Sequence, residues 1–273
     1  MLRQRILTAV PLALIVLVII WRLPPVWMQV VMAAAMLFAA WEWADLSGYR
    51  CTTQRLAYVG AVGALIAAIA LIDLPARTAW QVPGLLWWLT IAVWLLDTGR
   101  RREPARLPRW LRTGAGLITL SVAWVGVAAI HGRPEAGAFW LTVLVMLVWG
   151  ADIGGYFAGR RFGRHKLAPT ISPNKTWEGV AGGLVLAIAV VVPFRAIAGG
   201  FHANLPGYGW LIAVAIMVAL LSVVGDLSES VLKRQAERKD SGRLLPGHGG
   251  LLDRIDALLA GAPVLAAALV SVP

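Results

Sequence analysis

Apolar residues are grouped along this chain into nine long stretches separated by short polar segments. Each stretch holds about 20 residues, the length that an α-helix needs to cross the hydrocarbon core of a bilayer. Membrane β-strands are shorter, at ~10 residues, and alternate between apolar and polar positions, so the pattern does not fit a barrel. The pattern predicts an all-α, polytopic membrane helical bundle with about nine spans, over residues 6–22, 25–44, 56–74, 79–97, 113–131, 138–158, 176–198, 209–232 and 251–270.

The chain shows no internal repeat and no polar tract long enough to separate a soluble domain. We therefore predict one integral membrane domain over residues 1–273. Residues 1–145 carry no specific motif, whereas residues 146–273 carry the charged segments considered below. The first apolar stretch follows two arginines but lacks a small-residue cleavage site, so we expect an uncleaved first span.

Composition supports a membrane protein and excludes several classes of function. Hydrophobic residues make up 59% of the chain and charged residues 14%, although the formal net charge is +11. Soluble domains carry roughly 25% charged residues, so a soluble nucleic-acid-binding protein is disfavoured and no nucleic-acid partner is expected. One cysteine and four histidines are too few for a disulfide framework, a cysteine-based zinc site or an iron–sulfur cluster.

The basic residues are distributed unequally between the two sides of the predicted bundle. Of the 25 Lys and Arg residues, 20 lie at the N-terminus or in the loops after spans 2, 4, 6 and 8. Cytoplasmic loops of membrane proteins are enriched in Lys and Arg, so the N-terminus is predicted to be cytoplasmic. The loop at residues 98–112 is explained by topology and by attraction to anionic lipid headgroups of the bilayer.

Acidic residues are concentrated in the second half of the chain. A carboxylate within a span costs roughly 2.5–3.5 kcal/mol on insertion scales and needs a physical reason. We expect the late acids to gather at one cytoplasm-facing cavity. Eight of the 14 acids belong to this set: Asp152, Glu178, Asp226, Glu229, Glu237, Asp240, Asp253 and Asp256.

In span 8, four polar residues are related by steps of three and four and therefore share one helix face. They are Asp226, Glu229, Ser230 and Lys233. An alternative interpretation is a surface ion-pair ladder between Glu229 and Lys233, which does not require Asp226. The shared face predicts that span 8 lines the polar cavity.

Span 9 begins with Asp253 and Asp256, directly after the glycine-rich turn at residues 246–250. Carboxylates near a helix N-terminus are also favoured without any function, which is the alternative for Asp256. Acids from two helices near Lys and Arg suggest Mg²⁺ together with phosphate groups. The turn could hold a phosphate through free backbone N–H groups, with His248 as a further donor or as a structural residue.

A second basic segment leads into span 7. Ser172 is predicted to cap a helix that begins at Pro173, which places Lys175 in the first turn. A lysine there is unfavourable unless an anion is bound, because the helix N-terminus is itself positive. The alternative is a topogenic basic loop with an ordinary cap.

The 27 residues from Ser230 to Asp256, SVLKRQAERKDSGRLLPGHGGLLDRID, resemble the signature of the phosphatidate cytidylyltransferase family, also called CDP-diacylglycerol synthases. The segments 225–229 and 172–179 are similar to that family as well. The resemblance implies a nucleotidyltransferase of phospholipid biosynthesis in a bacterial-type inner membrane, with its active site facing the cytoplasm. Such an enzyme converts CTP and phosphatidic acid to CDP-diacylglycerol and pyrophosphate, with Mg²⁺ required.

The resemblance also implies roles for individual residues. Asp226 and Asp253 are expected to bind Mg²⁺, and Lys233 and Asp256 complete the expected catalytic set. The lipid phosphate is already anionic near neutral pH, so no Ser or Cys nucleophile is needed. Expected contacts to the two phosphorylated substrates come from Ser172, Lys175, Arg160, Ser230, Arg234, Lys239, His248, Gly249, Gly250 and Arg254.

Two other functions remain open from the residues alone. A CTP-dependent membrane lipid kinase would transfer the γ-phosphoryl group to an alcohol and release CDP. An ion-coupled transporter would use the buried acids as ion sites, but transporter sites usually lie near the bilayer midplane at a repeat interface. The sequence leaves a homodimer and the acyl-chain preference undecided.

Overall fold

The computed structural model describes residues 2–72, 79–100, 106–134, 136–198, 205–242 and 249–272. Within these ranges, an α-helix lies at each of the nine apolar stretches. A short 3-10 turn, Leu269–Ser271, follows the last helix. The helices are α1 (Leu2–Arg22), α2 (Pro25–Leu46), α3 (Thr52–Ala70), α4 (Gln81–Arg100), α5 (Arg109–His131), α6 (Gly137–Phe162), α7 (Trp177–Ala198), α8 (Tyr208–Gln235) and α9 (Leu252–Ala268).

Six of the described helices are long and apolar enough to cross a membrane, namely α2, α3, α5, α6, α7 and α8. Large apolar side chains such as Val26, Val93 and Val185 lie exposed on the outside of the bundle. Such side chains are stable against lipid tails but costly in water. The chain is therefore a multi-pass helical membrane protein.

The fold departs from the all-α prediction in a two-stranded antiparallel hairpin between α6 and α7. Strand β1 (Lys166–Ala168) pairs with β2 (Ser172–Thr176). The prediction that Ser172 caps a helix starting at Pro173 is therefore wrong, and Lys175 lies on a strand. The cap is Thr176, whose Oγ1 accepts a hydrogen bond of 3.1 Å from the backbone N–H of Gly179 in the first turn of α7.

Glycines allow close helix contacts around the polar end of the bundle. A Cβ on Gly154 of α6 would collide with the carbonyl oxygen of Gly182 on α7. A Cβ on Gly225 of α8 would likewise collide with the carbonyl oxygen of Asp256 on α9. Small residues at helix interfaces let backbones approach in membrane bundles. The second contact holds the polar faces of α8 and α9 side by side.

Candidate active site

Lys233 joins the polar faces of α8 and α9. Its Nζ lies 2.7 Å from Glu229 Oε2, one turn earlier on α8, and 2.7 Å from Asp253 Oδ1 on α9. The exposed fractions of the three side chains are 13% for Lys233, 2% for Glu229 and 9% for Asp253. The pair of Glu229 and Lys233 is therefore part of a buried link between two helices and not a surface ladder.

Asp253 is held by a turn as well as by the lysine. Its Oδ2 accepts hydrogen bonds of 2.9 Å from the backbone N–H groups of Ser241 and Gly250, and lies 2.9 Å from the Ser241 hydroxyl. Gly249 has φ +84, and a Cβ there would lie 2.8 Å from the same carboxylate oxygen. The predicted glycine turn thus places its backbone against Asp253, and both Asp253 oxygens have protein partners.

Asp226 faces the hairpin. Its Oδ2 forms an ion pair of 2.6 Å with Lys175 Nζ of β2, and its Oδ1 accepts a hydrogen bond of 3.3 Å from Ser230. Arg234, further along α8, donates from Nε to the carbonyl oxygen of Ile171 at 3.1 Å. These contacts bring the hairpin against α8, so the two segments singled out in the sequence meet in the fold.

Asp152 and Asp256 add two more carboxylates to this cluster. Asp256 interacts electrostatically with Asp226, Glu229 and Asp152, and Asp152 interacts with Lys175 and Asp226. The cluster therefore contains five carboxylates (those of Asp152, Asp226, Glu229, Asp253 and Asp256) and the two lysines, Lys175 and Lys233. Counted as ionised groups, these seven side chains leave an excess of three negative charges.

The cluster suits a hard cation but does not form a complete protein cage for one. Across the described parts of the chain, no three His, Cys, Asp or Glu side chains are arranged to hold a metal ion. Mg²⁺ usually takes one or two carboxylates and completes its shell with waters and substrate phosphates. Glu229 Oε1 is buried, and among the described residues no donor other than the neighbouring Asp256 side chain reaches Glu229 beyond its bond to Lys233. The surplus of carboxylate oxygen therefore fits a partly protein-bound Mg²⁺.

Three of the eight predicted acids lie outside the cluster: Glu237 and Asp240 are exposed in the segment after α8, and Glu178 lies beside the hairpin. Glu178 accepts hydrogen bonds from the backbone N–H groups of Arg164 and His165, and its Oε1 lies 2.6 Å from Nδ1 of the His165 ring. Its carboxylate supports the start of α7 beside the hairpin. The expectation that all eight late acids share one site is therefore wrong for these three acids, and the oxygens of Glu178 serve this local structural role instead.

The remaining candidate residues lie around the cluster or outside the described ranges. Arg160 is exposed at the end of α6, and its Nη1 donates to the Tyr156 hydroxyl at 2.9 Å. Lys239 is exposed and lines a cavity of about 570 Å³ between α2 and residues 238–242. Arg254 is exposed in the first turn of α9. His248 lies outside the described residues.

The predictions from sequence did not include α2 in the site. Glu42 of α2 is 5% exposed, and its carboxylate accepts hydrogen bonds from the backbone N–H groups of Leu251 and Leu252. Asp45, one turn later, forms ion pairs with Arg55 and Arg238. An available signal was the position of Glu42 inside an otherwise apolar predicted span, where a carboxylate is costly.

Comparisons with known proteins bear on the whole chain. Residues 3–272 match the model of the Cytidylyltransferase family. The chain is 43% identical to a phosphatidate cytidylyltransferase from Pseudomonas aeruginosa, covering 98% of this chain and 97% of the relative. It is 31% identical to one from Haemophilus influenzae, covering 96% of each chain, and 34% identical to one from Brucella suis, covering 97% of this chain and 92% of the relative. By this full-length match and these identities, the chain belongs to the cytidylyltransferase family of nucleotidyltransferases.

Proposed function

We propose that the chain is a phosphatidate cytidylyltransferase, which converts CTP and phosphatidic acid to CDP-diacylglycerol and pyrophosphate. The observation that carries this proposal is the full-length similarity to relatives of that name, at 43% identity over 98% of the chain. The cluster on β2, α8 and α9 supports it, since lysines beside surplus carboxylates suit two phosphorylated substrates and a cation. A membrane-embedded bundle also suits a substrate whose acyl chains stay in the bilayer.

The reaction needs alignment more than it needs a protein nucleophile. An oxygen of the lipid phosphate forms a bond to the α-phosphorus of CTP, while the bond from that phosphorus to the β-bridging oxygen breaks. The electron pair of the broken bond leaves with pyrophosphate. Because both reactants are anions, positioning and charge neutralisation supply most of the catalysis.

The two lysines of the cluster suit different tasks in this reaction. Lys175 is 24% exposed and forms an ion pair with Asp226, so its ammonium can also contact a substrate phosphate. Lys233 is more buried and lies between Glu229 and Asp253. We propose that Lys233 holds α8 and α9 together and contributes positive charge to the site. We assign Lys175 to direct phosphate contact.

We further propose that Asp226 and Asp256 hold Mg²⁺, which when bound offsets the charge of the triphosphate. The sequence predicted Asp226 with Asp253 in this role. Asp253 already forms an ion pair with Lys233 and accepts backbone hydrogen bonds from Ser241 and Gly250, whereas both partners of Asp226, Lys175 and Ser230, are side chains. Asp256 lies beside Asp226, because the backbones of α8 and α9 meet at Gly225. In this proposal, Asp253 orients the glycine turn and Lys233, and Asp256 takes the place of Asp253 as a ligand of Mg²⁺.

We place the site on the cytoplasmic side of an inner membrane, with nine spans and a cytoplasmic N-terminus. Support comes from the 20 basic residues on one predicted side and from the contacts at one end of the bundle. Ion pairs from Asp45 to Arg238 and from Lys175 to Asp226 join segments that the predicted topology assigns to that side.

Crosslinking of the protein in native membranes tests whether it is a homodimer.

Isotope-labelled CTP tests the proposed reaction directly. Purified protein in lipid nanodiscs is given Mg²⁺, phosphatidic acid and CTP labelled at either the α- or the γ-phosphorus. We expect α-label in CDP-diacylglycerol and γ-label in pyrophosphate. Transfer of γ-label to lipid with release of CDP would indicate a lipid kinase and refute the proposal.

The Asp253→Asn variant tests whether transfer of the α-label depends on the charged cluster. It preserves the size of the side chain but weakens the link to Lys233 and the turn. We expect it to remain folded in nanodiscs and to lose nearly all α-label transfer. Near-normal transfer by this variant would show that Asp253 is not needed at the site.

A further inference from the structure

The N-terminus of α9 is capped by a residue from a distant helix. Leu251, at the N-cap position, forms no side-chain cap hydrogen bond within the described chain. The first N–H groups of a helix have no intrahelical acceptor and need another partner. Glu42 of α2 supplies it: Oε1 accepts from the N–H of Leu251 at 3.0 Å, and Oε2 accepts from that of Leu252 at 2.8 Å.

Glu42 is also connected to Asp253 through one hydroxyl group. Ser241 Oγ lies 3.0 Å from Glu42 Oε2 and 2.9 Å from Asp253 Oδ2, and Ser241 is 1% exposed. A serine hydroxyl has one hydrogen to donate, so it can satisfy one of these carboxylates at a time. The backbone N–H of Ser241 donates to Asp253 as well. A continuous path of polar contacts thus runs from α2 to Asp253 and on to Lys233.

Two glycines, Gly242 and Gly250, leave room for the Glu42 carboxylate beside the backbone. A Cβ on Gly250 would lie 2.5 Å from Glu42 Oε2, and a Cβ on Gly242 would collide with Oε1. Asp45 holds the neighbouring part of the same segment through Arg238. The end of α2 therefore contacts both sides of the turn that presents Asp253.

We infer that Glu42 is a positioning residue of the active site, which fixes the start of α9 and the Ser241 hydroxyl so that Asp253 and Lys233 keep their catalytic arrangement. Both oxygens of its carboxylate accept hydrogen bonds from backbone N–H groups of the protein, so it acts through Asp253 and not on a substrate. The inference deepens the proposed function and rests on it for its kinetic consequences. Residues that hold the ligands of a metal site contribute about 10- to 100-fold to metal affinity or activity, and we expect an effect of that size from Glu42 beside the proposed Mg²⁺ site.

The first test is a kinetic comparison of Glu42→Gln and Glu42→Asp. Glutamine keeps the shape but turns an NH₂ group toward backbone N–H donors, whereas aspartate keeps both acceptor oxygens on a shorter stem. We expect Glu42→Gln to lower kcat about 10- to 100-fold, with KM for CTP and phosphatidic acid within about threefold of wild type. Glu42→Asp should recover a substantial part of kcat. Equal kcat for Glu42→Gln and wild type would overturn the inference.

A coupling experiment separates positioning from general loss of packing. Ser241→Ala removes the hydroxyl between the two carboxylates, and residues in one hydrogen-bond network show non-additive effects. We expect the double variant to lose markedly less kcat than the product of the two single losses. The matched control is Thr142→Val, which removes the hydrogen bond of 3.1 Å between Trp21 and Thr142 away from the site. Strict additivity, or a kcat loss in the control equal to that of Glu42→Gln, would contradict the inference.

Hydrogen–deuterium exchange gives a readout that does not depend on the reaction. We expect Glu42→Gln to raise exchange in the peptide covering residues 249–258 and to leave α5 unchanged. Unchanged protection there would overturn the positioning role even in an active enzyme. A wild-type protein that forms no CDP-diacylglycerol, but shows the expected exchange, would instead refute the proposed function and leave the cap intact.

Discussion

Replacing Lys233 by methionine tests how strongly the bundle depends on the link between α8 and α9. The ammonium lies 2.7 Å from an oxygen of Glu229 and 2.7 Å from one of Asp253. Methionine keeps most of the volume and the apolar contacts of the side chain but removes the charge. The variant therefore leaves two carboxylates, 2% and 9% exposed, without their shared cation.

The size of the effect follows from these distances. At an effective dielectric constant of about 20, one unit-charge pair at this separation is worth roughly 6 kcal/mol before desolvation is counted. Desolvation cancels much of that attraction, whereas removing one partner of a buried pair costs about 3–5 kcal/mol because the other charge stays buried. We expect Lys233→Met to lower the free energy of unfolding by about 3–5 kcal/mol.

Unfolding in mixed detergent micelles, followed by circular dichroism at neutral pH, measures this loss. The double variant Lys233→Met with Glu229→Gln removes one of the two unpaired charges and should recover part of the stability. Lys233→Met with a stability within about 0.5 kcal/mol of wild type, the range of neutral surface substitutions, would refute the reasoning. A double variant less stable than the single one would do the same.

Three further predictions concern the same end of the bundle. Lys175→Ala should raise KM for CTP or phosphatidic acid about tenfold or more, because a hydrogen bond to a charged group is worth roughly 1.5–3 kcal/mol. Unchanged KM for both substrates would argue against contact between Lys175 and a substrate phosphate. Gly225→Val should destabilise the fold by about 1–3 kcal/mol by forcing its side chain against the Asp256 carbonyl, and an unaltered thermal midpoint would contradict that packing. Asp226→Asn and Asp256→Asn should each raise the Mg²⁺ concentration for half-maximal activity. A larger rise for Asp253→Asn than for Asp256→Asn would favour the ligand pair predicted from the sequence.

The helices and the family could be predicted from the sequence, because both depend on local patterns. Long apolar stretches indicate helices wherever they occur, and the charged signature from Ser230 to Asp256 has fixed spacing. The family resemblance is confirmed over residues 3–272. The shared face of Asp226, Glu229, Ser230 and Lys233 also follows from helical spacing alone, and the structure places all four on α8.

Contacts between distant segments could not be predicted in the same way. The local rule that serine before proline starts a helix failed at Ser172, because pairing of β2 with β1 holds that segment extended. Our proposal of Asp256 in place of Asp253 as a metal ligand rests on the hydrogen bonds that Asp253 accepts from Ser241 and Gly250, which spacing does not reveal. Glu42 was missed because its partners are more than 190 residues away in sequence.

The cap that α2 provides to α9 has a consequence for biosynthesis. A ribosome makes Glu42 about two hundred residues before it makes Leu251 and Leu252, the backbone donors that Glu42 binds in the finished protein. Until α9 emerges, that carboxylate lacks these partners, and burying it would be costly. The polar end of the bundle is therefore completed last, when the first third of the chain and its final helix come together. A nascent chain that stops before α9 cannot assemble the reaction centre, however well its earlier helices are inserted.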